Sequence, residues 1–223
     1  MTAVPDDHPP IAESHVGVLV VNLGTPAAPD AKAVRAYLRE FLSDPRVVEL
    51  PRWLWWPILH GPILAIRPRR TARLYARIWD HERGESPLRV ITRAQAASLG
   101  KALAGNGAVR VDWAMRYGRP AIEDRLRALA DQGCRRILLF ALYPQYSAAT
   151  SASVNDCAFR ALAAMRWQPA LRVVPPFHDH PAYIAALAAT AEQALARLDW
   201  RPEKLLLSFH GMPKRSLEMG DPY

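Results

Sequence analysis

Fully apolar runs alternate with amphipathic stretches along this chain. Residues 16–21 are continuously apolar and rich in Val. A run without polar alternation reads as a strand buried on both faces, and so as part of a parallel sheet. The turn Asn22-Leu23-Gly24-Thr25-Pro26 follows. Asp30 then predicts a cap for a helix with its apolar stripe at Val34, Tyr37, Leu38, Phe41 and Leu42. In residues 108–115, Val109, Val111, Trp113 and Met115 alternate with Arg110 and Asp112, which predicts a second strand. Pro120 opens a helix carrying Ile122, Leu126, Leu129 and Ala130, and Gly133 closes it. A third strand is predicted over 137–142 and a helix over roughly 153–165.

Trp167-Gln168-Pro169 reads as a joint. It divides the chain into an acidic, Pro-rich tail at 1–14 expected to be disordered, a first domain over 15–168, and the start of a second over 169–223. The second unit is predicted as strand 171–174, helix 181–198 and strand 204–208. Strands alternating with helices imply an α/β fold with a parallel, doubly wound sheet. Two strands and one helix cannot bury both faces of such a sheet, so the second unit is expected to be incomplete.

Half of the 223 residues are hydrophobic, enough for a sizeable core, and the formal charge is +8. Arg far outnumbers Lys, which suits planar anions such as carboxylates and phosphates. A GC-rich genome would produce the same bias. No nucleic-acid recognition motif accompanies the charge, so a nucleic-acid partner is not expected. Cys134 and Cys157 lack CxxC spacing and are expected to be reduced, as in a cytoplasmic protein. The N-terminus has no basic segment leading into an apolar one, so no secretory signal is expected.

Candidate chemistry gathers at strand ends. The last apolar run, Leu205-Leu206-Leu207-Ser208-Phe209, leads straight into His210-Gly211-Met212-Pro213. The mouth beyond the carboxyl ends of parallel strands is where ligands bind, and an imidazole there can act as base, acid or metal ligand near neutral pH. Arg116 ends the second strand, and Tyr143-Pro144-Gln145-Tyr146-Ser147 ends the third. Asn22-Leu23-Gly24-Thr25-Pro26 lacks the GxGxxG spacing of a dinucleotide loop. Residues 53–66 begin Trp53-Leu54-Trp55-Trp56-Pro57 and end at Ile66, too short and too broken to cross a bilayer. They read either as an insertion into the core or as a greasy lip for a flat apolar ligand or a membrane surface, with Arg67, Arg69 and Arg70 following at once. His178-Asp179-His180 has a superficial metal spacing, but Asp179 is adequately explained by capping and turn roles. His8, His15, His60 and His81 have no partner pattern and read as surface residues.

Taken together, six pieces resemble the ferrochelatase family: Val21-Asn22-Leu23-Gly24-Thr25-Pro26, Arg69-Arg70-Thr71, Met115-Arg116-Tyr117, Leu142-Tyr143-Pro144-Gln145-Tyr146-Ser147, Ser208-Phe209-His210-Gly211-Met212-Pro213 and Gly220-Asp221-Pro222-Tyr223. They occur in the family's order, from residue 16 to the end. The resemblance implies a chelatase-like fold of two Rossmann-like domains, parallel sheets flanked by helices, with a porphyrin cleft between them. It implies insertion of ferrous iron into protoporphyrin IX, with protoporphyrin and ferrous iron as substrates. His210 matches the active-site His, as base and metal ligand. Leu23 takes the position that packs on the porphyrin face. Arg69 and Arg70 match the basic pair near the porphyrin carboxylates, Arg116 lines the inner pocket, and Tyr143 and Ser147 match cleft walls.

Two features depart from the family pattern. Some members bind an iron–sulfur cluster through a Cys just after the Tyr-Pro-Gln-Tyr-Ser motif; here Ala148-Ala149 stand there, so no cluster and no tightly bound cofactor is expected. Family chains also continue further, through an acidic partner of the His and a C-terminal helix. The alternatives are therefore a related chelatase, such as one placing cobalt in sirohydrochlorin, or a porphyrin-binding fragment without turnover. The expected location is cytoplasmic, with peripheral contact at the inner face of the membrane through residues 53–66.

Overall fold

The computed structural model describes residues 14–223 except Asn106 and Ala108. The expected disordered tail lies outside the described residues apart from Ser14, and so does His8.

Four parallel strands form one sheet in the order β2-β1-β3-β4: β1 (His15–Gly24), β2 (Val109–Tyr117), β3 (Cys134–Ala141) and β4 (Ala170–Val173). β1 is central, with Val18 opposite Val111 on one side and Leu138 on the other. Val18 and Val20 face helix α4 (Pro87–Leu103), packing with Ala96 and Leu99. Leu19 and Val21 face α5 (Ile122–Asp131) and α6 (Ser153–Ala163), packing with Leu126, Val154 and Ala158. Both faces of β1 are thus covered, which is why its apolar run has no polar alternation. His15 opens this strand and is half-buried, its Nδ1 shut away from solvent, rather than a surface residue.

α1 (Ala31–Leu42) begins at Asp30 as predicted; the Asp30 carboxylate accepts the backbone N–H groups of Lys32 and Ala33 at 2.8 and 2.9 Å. Its buried stripe packs with Tyr117, Leu59, Leu64 and Ala72. Residues 53–66 are helical: α2 (Arg52–Ile58), a π-helical turn (Leu59–Ile63) and the start of α3 (Leu64–Ile78). Only Leu59 and Leu64 of that run are buried, and Trp53 is 79% exposed. The stretch is therefore a lip pinned at two leucines rather than a core insertion. α4 is an element the apolar pattern did not predict; Ser86 caps it and Pro87 stands in its first turn.

Two expectations are corrected. The strand expected to open a second unit is β4, the edge of the first sheet, paired with β3 from Arg136–Ala170 to Leu139–Val173. α6 is the crossover that returns the chain beside β3, so the sheet continues across the expected joint at Pro169. Residues 204–208 are not a strand; Leu205, Leu206 and Leu207 are 69, 88 and 74% exposed. No neighbouring strand lies beside them among the described residues, and an apolar run without a ladder partner leaves its backbone groups to water. α7 (Pro181–Leu195) forms nearly as predicted, yet buries no residue. A short helix, α8 (Lys214–Glu218), follows the His210 segment.

Candidate functional site

Beyond the carboxyl ends of β1 and β3 lies a cleft of about 620 Å³, a volume suited to a small-molecule ligand. Leu23, Phe41 and Val47 form one side of it. The turn Ser147-Ala148-Ala149, here called the floor, and His210, Met212 and Pro213 of the chain's last segment complete the lining. Most of the exposed lining is apolar, but Arg46, Glu49, Arg215 and Asp221 also line the cleft beside the imidazole and the Ser147 hydroxyl.

Each wall is held locally. Leu23 ends β1, where its N–H donates to Asn22 Oδ1 at 2.8 Å. Asn22 Nδ2 in turn donates to Thr92 Oγ1 on α4 at 3.0 Å, so the cleft's Leu is fixed from the opposite face of the sheet. Gly24 follows at φ +110°, where an added Cβ would meet the Tyr117 carbonyl oxygen at 1.9 Å; only glycine allows β1 and β2 to close there. Ser147 is buried and caps the π-helical turn Ala148–Ala152 that leads into α6, its Oγ accepting the Ala149 N–H at 3.2 Å. His210 is exposed on a segment without regular structure, and Tyr223 Oη lies 3.5 Å from its carbonyl oxygen.

Leu23, Ser147 and His210 thus line one cleft. Arg116 and Tyr143 are not among the lining residues. The Arg116 side chain is 10% exposed and inserted behind the floor, its Nη2 donating to Asp44 Oδ2 at 2.5 Å and its Nε to Ser153 Oγ at 2.7 Å. Asp44 Oδ2 also accepts the Tyr117 and Ser153 hydroxyls at 2.7 and 2.5 Å. Burial alone would raise the Asp44 pKa. Hydrogen bonds from Ser153, Tyr117 and the Arg46 backbone, with the Arg116 charge, outweigh it and hold the carboxyl below its ordinary range. The Tyr143 hydroxyl is buried without a hydrogen-bond partner, and burial pushes its pKa far up, so it stays a neutral phenol. Arg69 and Arg70 lie exposed on α3, outside the cleft lining.

Sequence reasoning missed Asp44, Ser153 and Asp221. Asp44 lies two residues beyond α1 in Ser43-Asp44-Pro45, which looks like an ordinary turn, and its side-chain partners are 72 to 109 residues away. Asp221 was visible only inside a motif. In the His178-Asp179-His180 run the cap belongs to His180, whose Nδ1 accepts the Ala182 N–H at 3.3 Å. Among the described residues no group of three or more His, Cys, Asp or Glu side chains is arranged to hold a metal.

A parallel α/β sheet with helices on both faces and an apolar cleft beyond its strand ends defines a Rossmann-type, chelatase-like domain. Comparison with known proteins narrows this. The ferrochelatase family model matches residues 15–223. The chain is 56% identical over 217 residues to the ferrochelatase of Rhizobium meliloti, covering 97% of this chain and 64% of that protein. It is 54% identical over 223 residues to the ferrochelatase of Agrobacterium fabrum, covering 100% and 65%. With the ferrochelatase of Nitrobacter hamburgensis it shares 56% over 212 residues, covering 95% and 61%. The chain belongs to the ferrochelatase family. It spans just under two thirds of the length of these relatives.

Proposed function

We propose that this chain serves the insertion of ferrous iron into protoporphyrin IX in haem biosynthesis, and that the cleft between Leu23 and His210 receives the porphyrin. The observation that carries this reading is the single imidazole facing an apolar wall across about 620 Å³, in a chain of this family. A free porphyrin is a flat apolar ring with two N–H protons, and both must leave as the divalent metal enters. Bending the ring tilts the nitrogen lone pairs toward the metal, so a wall that favours the bent ring lowers the barrier. Leu23, Phe41 and Val47 supply that wall. His210 acts as the general base, taking one N–H proton at a time and passing it to the solvent to which it is exposed. Imidazole also ligates ferrous iron, so the same side chain passes the metal toward the ring.

Arg69 and Arg70, exposed on α3, bind the porphyrin carboxylates, and Arg116 and Tyr143 act from behind the floor. The lip at residues 53–66 rests on the membrane surface at its cytoplasmic face, bringing the protein to an apolar substrate. Among the described residues no helix is long and apolar enough to cross a membrane. Ala148 and Ala149 offer no thiolate, which supports a site without an iron–sulfur cluster.

The test is to mix the chain with protoporphyrin IX and ferrous or zinc ion and follow metalloporphyrin absorbance. Turnover is expected. Binding without turnover would instead favour a porphyrin-holding role, and cobalt insertion into sirohydrochlorin alone would favour the related chelatase.

A further inference from the structure

The motif Gly220-Asp221-Pro222-Tyr223 has no part in the chemistry proposed above, yet it anchors the chain that follows β4. Asp221 is the only buried residue beyond Pro169 among the described residues, 9% exposed. Its carboxylate accepts three hydrogen bonds. Oδ2 takes the Ser147 hydroxyl at 3.1 Å and the Ala148 N–H at 2.7 Å, and Oδ1 takes the Tyr223 N–H at 3.2 Å. Its own N–H donates to the Ser216 carbonyl at 3.0 Å. Gly220, at φ +93°, supplies the left-handed turn that delivers Asp221 to this place.

The two ends of this contact belong to different segments of the cleft lining. Ser147 and Ala148 cap the helical turn that forms the floor, where free N–H groups favour a negative charge. Ser216 and Tyr223 belong to the segment that carries His210, and Tyr223 reaches back to the His210 carbonyl. α7 buries nothing, so little else ties this segment to the sheet. We propose that Asp221 is a positioning residue: its carboxylate is the clasp that sets how far His210 stands from the Leu23 wall. Without it the His210 segment loses its one buried anchor and the cleft widens, while the core of the sheet is untouched. The ligand in this statement is the porphyrin of the function proposed above, and the clasp can be tested apart from it.

Hydrogen exchange across residues 210–216 and fluorescence titration with protoporphyrin IX are measured on this chain and on Asp221→Ala, Asp221→Asn and Ser147→Ala. Asp221→Ala should exchange faster across 210–216 and bind protoporphyrin about tenfold more weakly, as loss of a charged hydrogen-bond acceptor predicts, with the main melting transition unmoved. Ser147→Ala keeps the Ala148 and Tyr223 bonds and should show a smaller loss in the same direction. Asp221→Asn keeps the volume and one acceptor oxygen, which can hold Ser147 and Ala148, but loses the charge and turns its NH2 on the Tyr223 N–H; it should show a partial loss in the same direction, and it decides the matter if the alanine variant does not fold. Exchange and affinity unchanged in Asp221→Asn would overturn the clasp. Faster exchange in the variants of a parent that binds no protoporphyrin would uphold the clasp and overturn the ligand reading.

Discussion

Arg116 and Asp44 form an ion pair 72 residues apart in sequence, at 2.5 Å, with side chains only 10% and 5% exposed. Ser153 Oγ accepts from Arg116 Nε and donates to Asp44 Oδ2, and the Tyr117 hydroxyl donates to the same Asp44 oxygen. The pair ties the end of α1 and the end of β2 to the first residue of α6, directly behind the turn that floors the cleft. A buried charge is tolerable here because its hydrogen-bonding positions are filled.

Removing one member leaves the other charge stranded. Asp44→Ala should cost about 3–5 kcal/mol of stability, the usual penalty for breaking a buried pair, measured by urea denaturation. A loss below about 1 kcal/mol, the size of an ordinary substitution, would show that the pair is not holding the floor.

The same pair predicts a pH dependence. The Asp44 pKa is lowered on folding, so the unfolded chain binds the proton more readily. The stability it contributes is fully present above the unfolded carboxyl value of about 3.9 and is lost as pH falls through the lower folded value. Stability measured from neutral pH down to pH 3 should therefore fall more steeply in the parent than in Asp44→Asn. Parallel profiles would contradict this.

Gly24→Ala and Gly100→Ala should have opposite effects. The first places a Cβ 1.9 Å from the Tyr117 carbonyl at φ +110° and should prevent β1 and β2 from closing beside the cleft. The second adds a methyl group inside α4 at an ordinary 3.7 Å from Val111 and should stabilise by about 0.5–1 kcal/mol through helix propensity. Thermal melting of the two variants checks both.

What could be read from the sequence was whatever depends on neighbours in the chain. The runs that became β1, β2 and β3, the Asp30 cap and the Pro120–Gly133 helix follow local periodicity and turn chemistry. Leu205-Leu206-Leu207 has the same apolar look as β1, but a strand also needs a partner, and that is not a local property. β4 was found as a strand but given to the wrong sheet for the same reason: pairing with β3 is decided by the α6 crossover. His210 drew notice because it ends an apolar run, whereas Leu23 and Ser147 were picked out through the family resemblance; all three line the cleft. Asp44 and Asp221 were not legible, because the side chains that bury them lie 72 to 109 residues away.

The lip should bind membranes. Trp53 and Ile66 are 79% and 70% exposed, and Arg67, Arg69 and Arg70 follow on the same helical stretch. Vesicles containing anionic lipid should retain the parent on sedimentation, and Trp53→Ser with Trp56→Ser should release it without lowering the melting temperature, since neither side chain is buried. Equal retention of parent and variant would contradict a membrane role.

Arg70→Ala should weaken porphyrin binding more than it slows metal insertion. An exposed charge contributes modestly, so about fivefold in Kd is expected, with the rate at saturating porphyrin little changed. An unchanged Kd would remove Arg70 from the carboxylate site.

The most direct measurement is the initial rate of metalloporphyrin formation at saturating protoporphyrin by the parent and by His210→Ala. If the His210 imidazole takes the ring's protons, the variant should bind porphyrin almost as well and insert metal about a hundredfold more slowly, the usual reach of a positioned general base. Equal rates at equal occupancy would contradict the account.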